Sequence, residues 1–181
     1  MKTMYQNDKY STPWPLFLRL KKYLWDVIWL MTCRPTPKPL NGWRVFIFKL
    51  FGGSTSGDVF IHQSARIHFP WNVTLLSRAC LGERAWVYSV GKIQIGEEST
   101  IAQEAFLCSG THDFASKNQE LMLGSINIGN NVFVAAKAII LPDITVGHNC
   151  IVGAGSVLTK SLKDNSVAAG NPARVISSRF N

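Results

Sequence analysis

Residues 128–158 read IGNNVFVAAKAIILPDITVGHNCIVGAGSVL. Within them an aliphatic residue returns every six positions: Ile128, Val134, Ile140, Val146, Val152 and Leu158. Gly129, Ala135, Gly147 and Gly153 follow four of these. Helices repeat every ~3.6 residues and strands every ~2, so neither explains the pattern. Six is the hexapeptide period of a parallel β-helix. Each segment forms one flat side of a triangular coil, with its aliphatic residue pointing into the prism. The small residue after it is expected to fit a tight corner.

The same period runs backwards with slips, through Leu107, Ile101-Ala102, Ile95-Gly96, Ile93, Val87, Leu81, Val73, Ile67 and Ile61. The solenoid is therefore placed at 59–160, with an arm at 1–58 and a C-terminal extension at 161–181. Residues 108–125 break the repeat completely. A long loop set into a regular scaffold usually carries function.

In the arm, residues 1–12 are expected to be disordered. Pro13-Trp14-Pro15 opens a helix reaching about Thr32, with Arg19, Lys22 and Asp26 on one face. Pro35, Pro37 and Pro39 form a stiff linker, and a second helix spans about Gly42 to Phe51, closed by Gly52-Gly53. The arm is rich in tryptophan and phenylalanine and in Lys and Arg. It is expected to cap the open solenoid end or pack on a neighbouring subunit. Contact with a membrane interface is a second, compatible reading.

The chain has 181 residues and a formal net charge of +8, which suits a phosphorylated cofactor, a nucleic acid or an anionic membrane face as partner. Cys33, Cys80, Cys108 and Cys150 are scattered and read as reduced thiols. Met1–Pro13 does not read as a secretory leader. The apolar run Leu24–Met31 is far shorter than the ~20 residues of a membrane span. The expected location is cytoplasmic, including the inner face of the membrane.

His112 stands in the inserted loop, within Gly110-Thr111-His112-Asp113. An imidazole suits proton abstraction near neutral pH. Cys108 continues a strand and reads as structural. His62, His68 and His148 read as surface residues, and no metal-ligand spacing is visible. Lys160 and Arg174 in the turn-rich tail could hold the phosphates of a nucleotide-bearing cofactor. No P-loop or GxGxxG motif supports ATP or NAD.

Five segments together carry a resemblance: Cys108-Ser-Gly-Thr-His-Asp113, Ile126-Asn-Ile-Gly-Asn-Asn-Val-Phe-Val134, Leu141-Pro142, Val152-Gly-Ala-Gly-Ser-Val-Leu-Thr-Lys160 and Gly170-Asn-Pro-Ala-Arg174. With them, residues 59–176 resemble the hexapeptide-repeat acyltransferases, in the sugar O-acetyltransferase branch and near the colanic-acid-biosynthesis type. The resemblance implies a left-handed parallel β-helix and a homotrimer with clefts between subunits. It implies acetyl-CoA as donor and no metal. Ala136 and Ala154 match positions along the pantetheine arm, and Thr159, Lys160 and Arg174 match the nucleotide end. His112 matches the base that deprotonates a sugar hydroxyl for direct transfer. The acceptor implied is a sugar of an exopolysaccharide or lipid-linked oligosaccharide.

Acceptor positions transfer less well. Tyr88-Ser89 replaces a polar Asp-Asn pair, Phe133 stands where several relatives have Trp, and Gly82 falls near an acceptor-binding Asn. Trp86, Tyr88, Ser89 and Asp113 are the acceptor-side candidates. Alternatives are amino-sugar N-acetylation, xenobiotic acetylation and a non-catalytic trimeric scaffold. The fold is shared with γ-type carbonic anhydrases, whose metal histidine pattern is missing. Nucleic acid is not an expected partner.

Overall fold

The computed structural model describes residues 1–6, 8 and 10–180. Its strands stack into three parallel faces of one prism. The first face holds Ser54–Thr55, Val73–Leu75, Ile93–Ile95, Ile126–Ile128 and Ile144–Val146. The second holds Phe60–Ile61, Cys80–Leu81, Thr100–Ile101, Phe133–Val134, Ile151–Val152 and Ser166–Gly170. The third holds Arg66–Ile67, Trp86–Tyr88, Phe106–Cys108, Ile139–Ile140 and Val157–Leu158. The hexapeptide aliphatics face inward as the period requires. On the second face Ile61, Leu81, Ile101, Val134, Val152 and Ala168 are all completely buried.

The corners work differently from the sequence expectation. Left-handed backbone falls three residues before each inward aliphatic, at Asn131 (φ 54°), Lys137 (φ 60°), Asp143 (φ 66°), Asn149 (φ 58°) and Gly155 (φ 66°). The glycine after the aliphatic is needed for another reason. A Cβ at Gly129 would sit 2.8 Å from the backbone of Gly147 on the next coil, and one at Gly96 would sit 2.2 Å from the Gly129 carbonyl oxygen. Close stacking of coils, not positive φ, demands the small residue there. The left-handed asparagines form a ladder instead: Asn131 donates to Asn149, and Asn149 to Asn165, each at 3.0 Å.

Helix α1 spans Leu16–Ile28 and ends in a π-helical turn, Trp29–Cys33. The Thr32 hydroxyl donates to the Ile28 carbonyl at 2.8 Å, competing with the regular ladder where the sequence predicted one continuous helix. Helix α2 spans Asn41–Leu50. Both helices cover the first coil. The Trp25 indole donates to the Ile67 carbonyl at 2.8 Å. Asn41 pairs with the exposed edge of the second face: it donates to the Val59 carbonyl at 2.7 Å and accepts from Ile61 N–H at 3.0 Å.

Arg44 completes this cap. It is fully buried, donating to the carbonyls of Ile61 (2.7 Å), Pro37 (2.9 Å) and Lys38 (3.1 Å) and to the Thr36 hydroxyl (2.8 Å). The guanidinium fork ends the sheet edge that the solenoid would otherwise leave open.

The N-terminus departs from the expected disorder. Lys2–Met4 forms a strand paired antiparallel with Leu121–Leu123, which pairs in turn with Gly110–His112. Positions 7 and 9 of the stretch expected to be disordered lie outside the described residues.

Candidate active site

The inserted loop leaves the third face after Cys108 and returns to the first face at Ile126. Its two ends are tied where the Gly124 N–H donates to the Ser109 carbonyl at 2.8 Å. Ser109 is fully buried, and its hydroxyl donates to the Tyr88 carbonyl at 2.7 Å and accepts from Gly91 N–H at 2.8 Å. The coil beneath is uninterrupted, since Phe106–Cys108 pairs with Trp86–Tyr88 on one side and Ile139–Ile140 on the other. A rigid base therefore carries the hairpin that presents His112.

His112 lies opposite Leu121 in that hairpin. Its Nδ1 lies 2.7 Å from the Gln119 carbonyl oxygen. A carbonyl can only accept, so Nδ1 carries the proton and donates it. In the neutral ring the lone pair then falls on Nε2, and the side chain is exposed. That is the tautomer and geometry a general base requires. Asp113 shapes the turn beyond it, its carboxylate accepting from Ala115 N–H at 3.0 Å.

The N-terminal strand is the part of this assembly that the sequence did not reveal. The Gln6 side chain, only 5 % exposed, accepts from Leu121 N–H at 2.9 Å and donates to the Ser11 carbonyl at 2.6 Å. The terminal ammonium lies 3.6 Å from the Asp143 carboxylate. Residues 1–6, MKTMYQ, show no alternation of apolar and polar positions, so the sequence carries no strand signal there.

The acceptor-side candidates divide. Trp86 stacks on Phe106 with ring centroids 4.5 Å apart and remains 39 % exposed. It lines a cavity of about 310 Å³ between α1 and the third face, with Lys22, Asp26, Arg34, Arg66 and His68. Tyr88 is half-buried against His68, and burial, with the neighbouring Cys108, pushes its hydroxyl pKa up. Ser89 is a correction: it is fully buried, with its hydroxyl donating to the Phe69 carbonyl and accepting from the Phe69 N–H, both at 2.9 Å. It braces the coil and has no surface to offer a substrate.

His68 also departs from the surface position expected of it. It packs between Phe69 and Tyr88, with centroids at 4.5 and 4.8 Å. Burial, reinforced by Lys22, pushes its pKa down to about 4. His62 is half-buried and donates to or accepts from Ser64 at 2.8 Å, while His148 is exposed. Among the described residues no three His, Cys, Asp or Glu side chains gather as metal ligands. The Cys108 thiol donates to the Gly110 carbonyl, and burial raises its pKa, which disfavours a nucleophilic thiolate.

Ala136 and Ala154 occupy the same corner on adjacent coils, because Val134 pairs with Val152 and Ile139 with Val157. Gly155 N–H donates to the Ala136 carbonyl at 2.9 Å, locking the two coils together. The C-terminal strand Ala173–Ser178 folds back antiparallel on Ser166–Gly170 and sets Arg174 opposite Ala169, beside that column. Thr159 and Lys160 follow Val157–Leu158 one corner further on, and Thr159, Lys160 and Arg174 are all exposed. Arg174 thus lies beside the column of Ala136 and Ala154, while Lys160 sits at the neighbouring corner.

A family model, bacterial transferase hexapeptide (six repeats), matches residues 125–160. A protein of Escherichia coli (strain K12) that carries the name colanic acid biosynthesis acetyltransferase WcaF is 37 % identical over 160 residues, covering 88 % of each chain. The fold is shared with a hexapeptide-repeat-containing acetyltransferase from Vibrio cholerae O1 biovar eltor, solved in complex with acetyl coenzyme A. That match has a TM-score of 0.84 at 15 % identity and covers 98 % of this chain and 95 % of the other. It is shared too with a maltose O-acetyltransferase from Clostridium difficile 630, at TM-score 0.78 and 23 % identity over 92 % and 90 % of the two chains. With the repeat, the prism and a relative similar along nearly its whole length, this chain belongs to the hexapeptide-repeat acyltransferases.

Proposed function

We propose that the chain transfers an acetyl group from acetyl-CoA to a hydroxyl of a sugar in an exopolysaccharide or lipid-linked oligosaccharide, with His112 as the general base. The observation that carries this reading is the His112 tautomer, held by the Gln119 carbonyl with Nε2 open to an acceptor. Nε2 takes the hydroxyl proton as the oxygen attacks the thioester carbonyl. The tetrahedral intermediate collapses with cleavage of the C–S bond, and the coenzyme A thiolate recovers the proton from the imidazolium. No acyl-enzyme is needed, in keeping with the inert setting of Cys108.

The donor would lie along the Ala136–Ala154 strip, where small residues admit close approach of the pantetheine arm. Lys160 and Arg174 would meet the phosphates of the nucleotide end. A sugar ring would stack on Trp86, with Tyr88 beside it and Asp113 shaping the loop over it. His112 does not line the cavity beside Trp86 and is open to water on its own chain. A homotrimer, with a neighbouring subunit closing the cleft, would supply the missing wall and exclude water.

Calorimetry with acetyl-CoA tests the donor site. Lys160→Ala/Arg174→Ala is expected to weaken binding ~10- to 100-fold, in line with the loss of charge-assisted phosphate contacts. Absence of acetyl-CoA binding by the wild type would overturn the enzyme reading. An alkali-stable amide product would replace O-transfer with N-transfer.

A further inference from the structure

Helix α1 carries two apolar stripes, and the solenoid uses one. Helical residues advance by ~100° each, so Trp25 and Trp29 fall on the side turned to the first coil, where both are buried. Leu16, Leu20, Tyr23, Leu24, Val27 and Met31 recur at spacings of three and four on the opposite side. All are exposed, with Leu20 at 58 % and Met31 at 69 %. Helix α2 extends this face with Trp43, Phe46 and Leu50, which are also exposed. The Trp43 indole donates to the Thr32 carbonyl at 3.1 Å, which ties α2 to the C-terminal end of α1. Exposed large apolar side chains gathered in this number on two linked helices mark an interaction surface.

Charge identifies what it meets. Residues 13–57 hold seven cations and one carboxylate, Asp26, against a net charge of +8 for the whole chain. Arg44 is buried in the cap, and Lys22 is paired with Asp26. Arg19 and Lys49 stand exposed at the edges of the two apolar stripes, with Lys38 exposed in the linker between the helices, while Arg34 turns to the cavity beside Trp86. A second copy docking face to face would bring like charges together. An anionic surface with an apolar interior complements both features at once. Among the described residues no helix is long and apolar enough to cross a membrane, which leaves the in-plane geometry.

We propose that the outer face of α1 and α2 docks on the anionic surface of a phospholipid bilayer, with α1 lying in the plane of the interface. This stands apart from the acetyltransferase reading, since binding to vesicles needs neither donor nor acceptor.

Flotation of the full-length protein with vesicles tests it, using phosphatidylcholine alone and phosphatidylcholine mixed with phosphatidylglycerol. The wild type is expected to float with the anionic vesicles and less so in high salt. Leu20→Glu/Leu24→Glu is expected to reduce the bound fraction ~10-fold or more, because charges replace buried apolar area. Arg19→Glu/Lys49→Glu reads the same face through charge alone, in case the first variant is unstable. Failure of the wild type to float, or flotation of both variants equal to that of the wild type, would overturn the proposal. So would a change in the solution mass of either variant, which would assign the face to a subunit contact.

Discussion

Nδ1 of His112 is bonded to the main-chain carbonyl of Gln119 at 2.7 Å, across the turn of the inserted loop. A histidine ring is often oriented by a carboxylate side chain. Here the orienting acceptor belongs to the backbone, at a residue in the left-handed region (φ 49°). The tautomer is therefore set by the shape of the loop. Whatever holds the loop holds the imidazole.

Gln6 is such a holder, since it accepts from Leu121 N–H directly across from His112. Gln6→Ala leaves that buried donor unpaired, at a cost of about 1–3 kcal/mol in loop closure. Tryptic cleavage at Lys117 is expected to accelerate roughly 5- to 100-fold, in proportion to the open population. An unchanged cleavage rate would show that the N-terminal strand does not stabilise the loop.

Arg44 is expected to be the most sensitive position in the arm. Arg44→Met fills the volume but strands the carbonyls of Ile61, Pro37 and Lys38, so a loss on the order of 3 kcal/mol is expected. Arg44→Lys should recover only part, because an ammonium cannot span four acceptors with the guanidinium's planar fork. Denaturant unfolding of both variants measures this, and equal stability of Lys and Arg at this position would contradict it.

His68 makes stability depend on acid. Its folded pKa of about 4 lies below the ordinary imidazole value of ~6.5, so the unfolded chain takes up the proton first as pH falls. Its contribution is complete above ~6.5 and is lost progressively towards 4. The stability gap between wild type and His68→Gln is expected to narrow by about 2–3 kcal/mol over that window. A gap that stays constant with pH would show that His68 is not held neutral by its surroundings.

The prism was legible because one residue in six must be aliphatic, and nothing else in the chain competes with that period. The loop was legible as the place where the period stops, and His112 as the imidazole within it. Ser89 was misplaced because a serine at a coil corner serves either a ligand or a backbone, and sequence does not say which. Nothing in the sequence sets Arg44 apart from the other cations of the arm, since its neutral carbonyl partners leave no charge pattern. The Lys2–Met4 strand was invisible for a related reason: its partner edge exists only once the loop has folded. Helix α1 showed its apolar residues in sequence, but only the packed cap separates the Trp25–Trp29 side from the side left open.

The decisive measurement is the rate of acetyl transfer by His112→Ala, with acetyl-CoA affinity measured on the same preparation. A general base acting through Nε2 predicts a fall on the order of 10²–10⁴ in kcat with donor affinity unchanged. Wild-type turnover in that variant would contradict the assignment of His112 as the base.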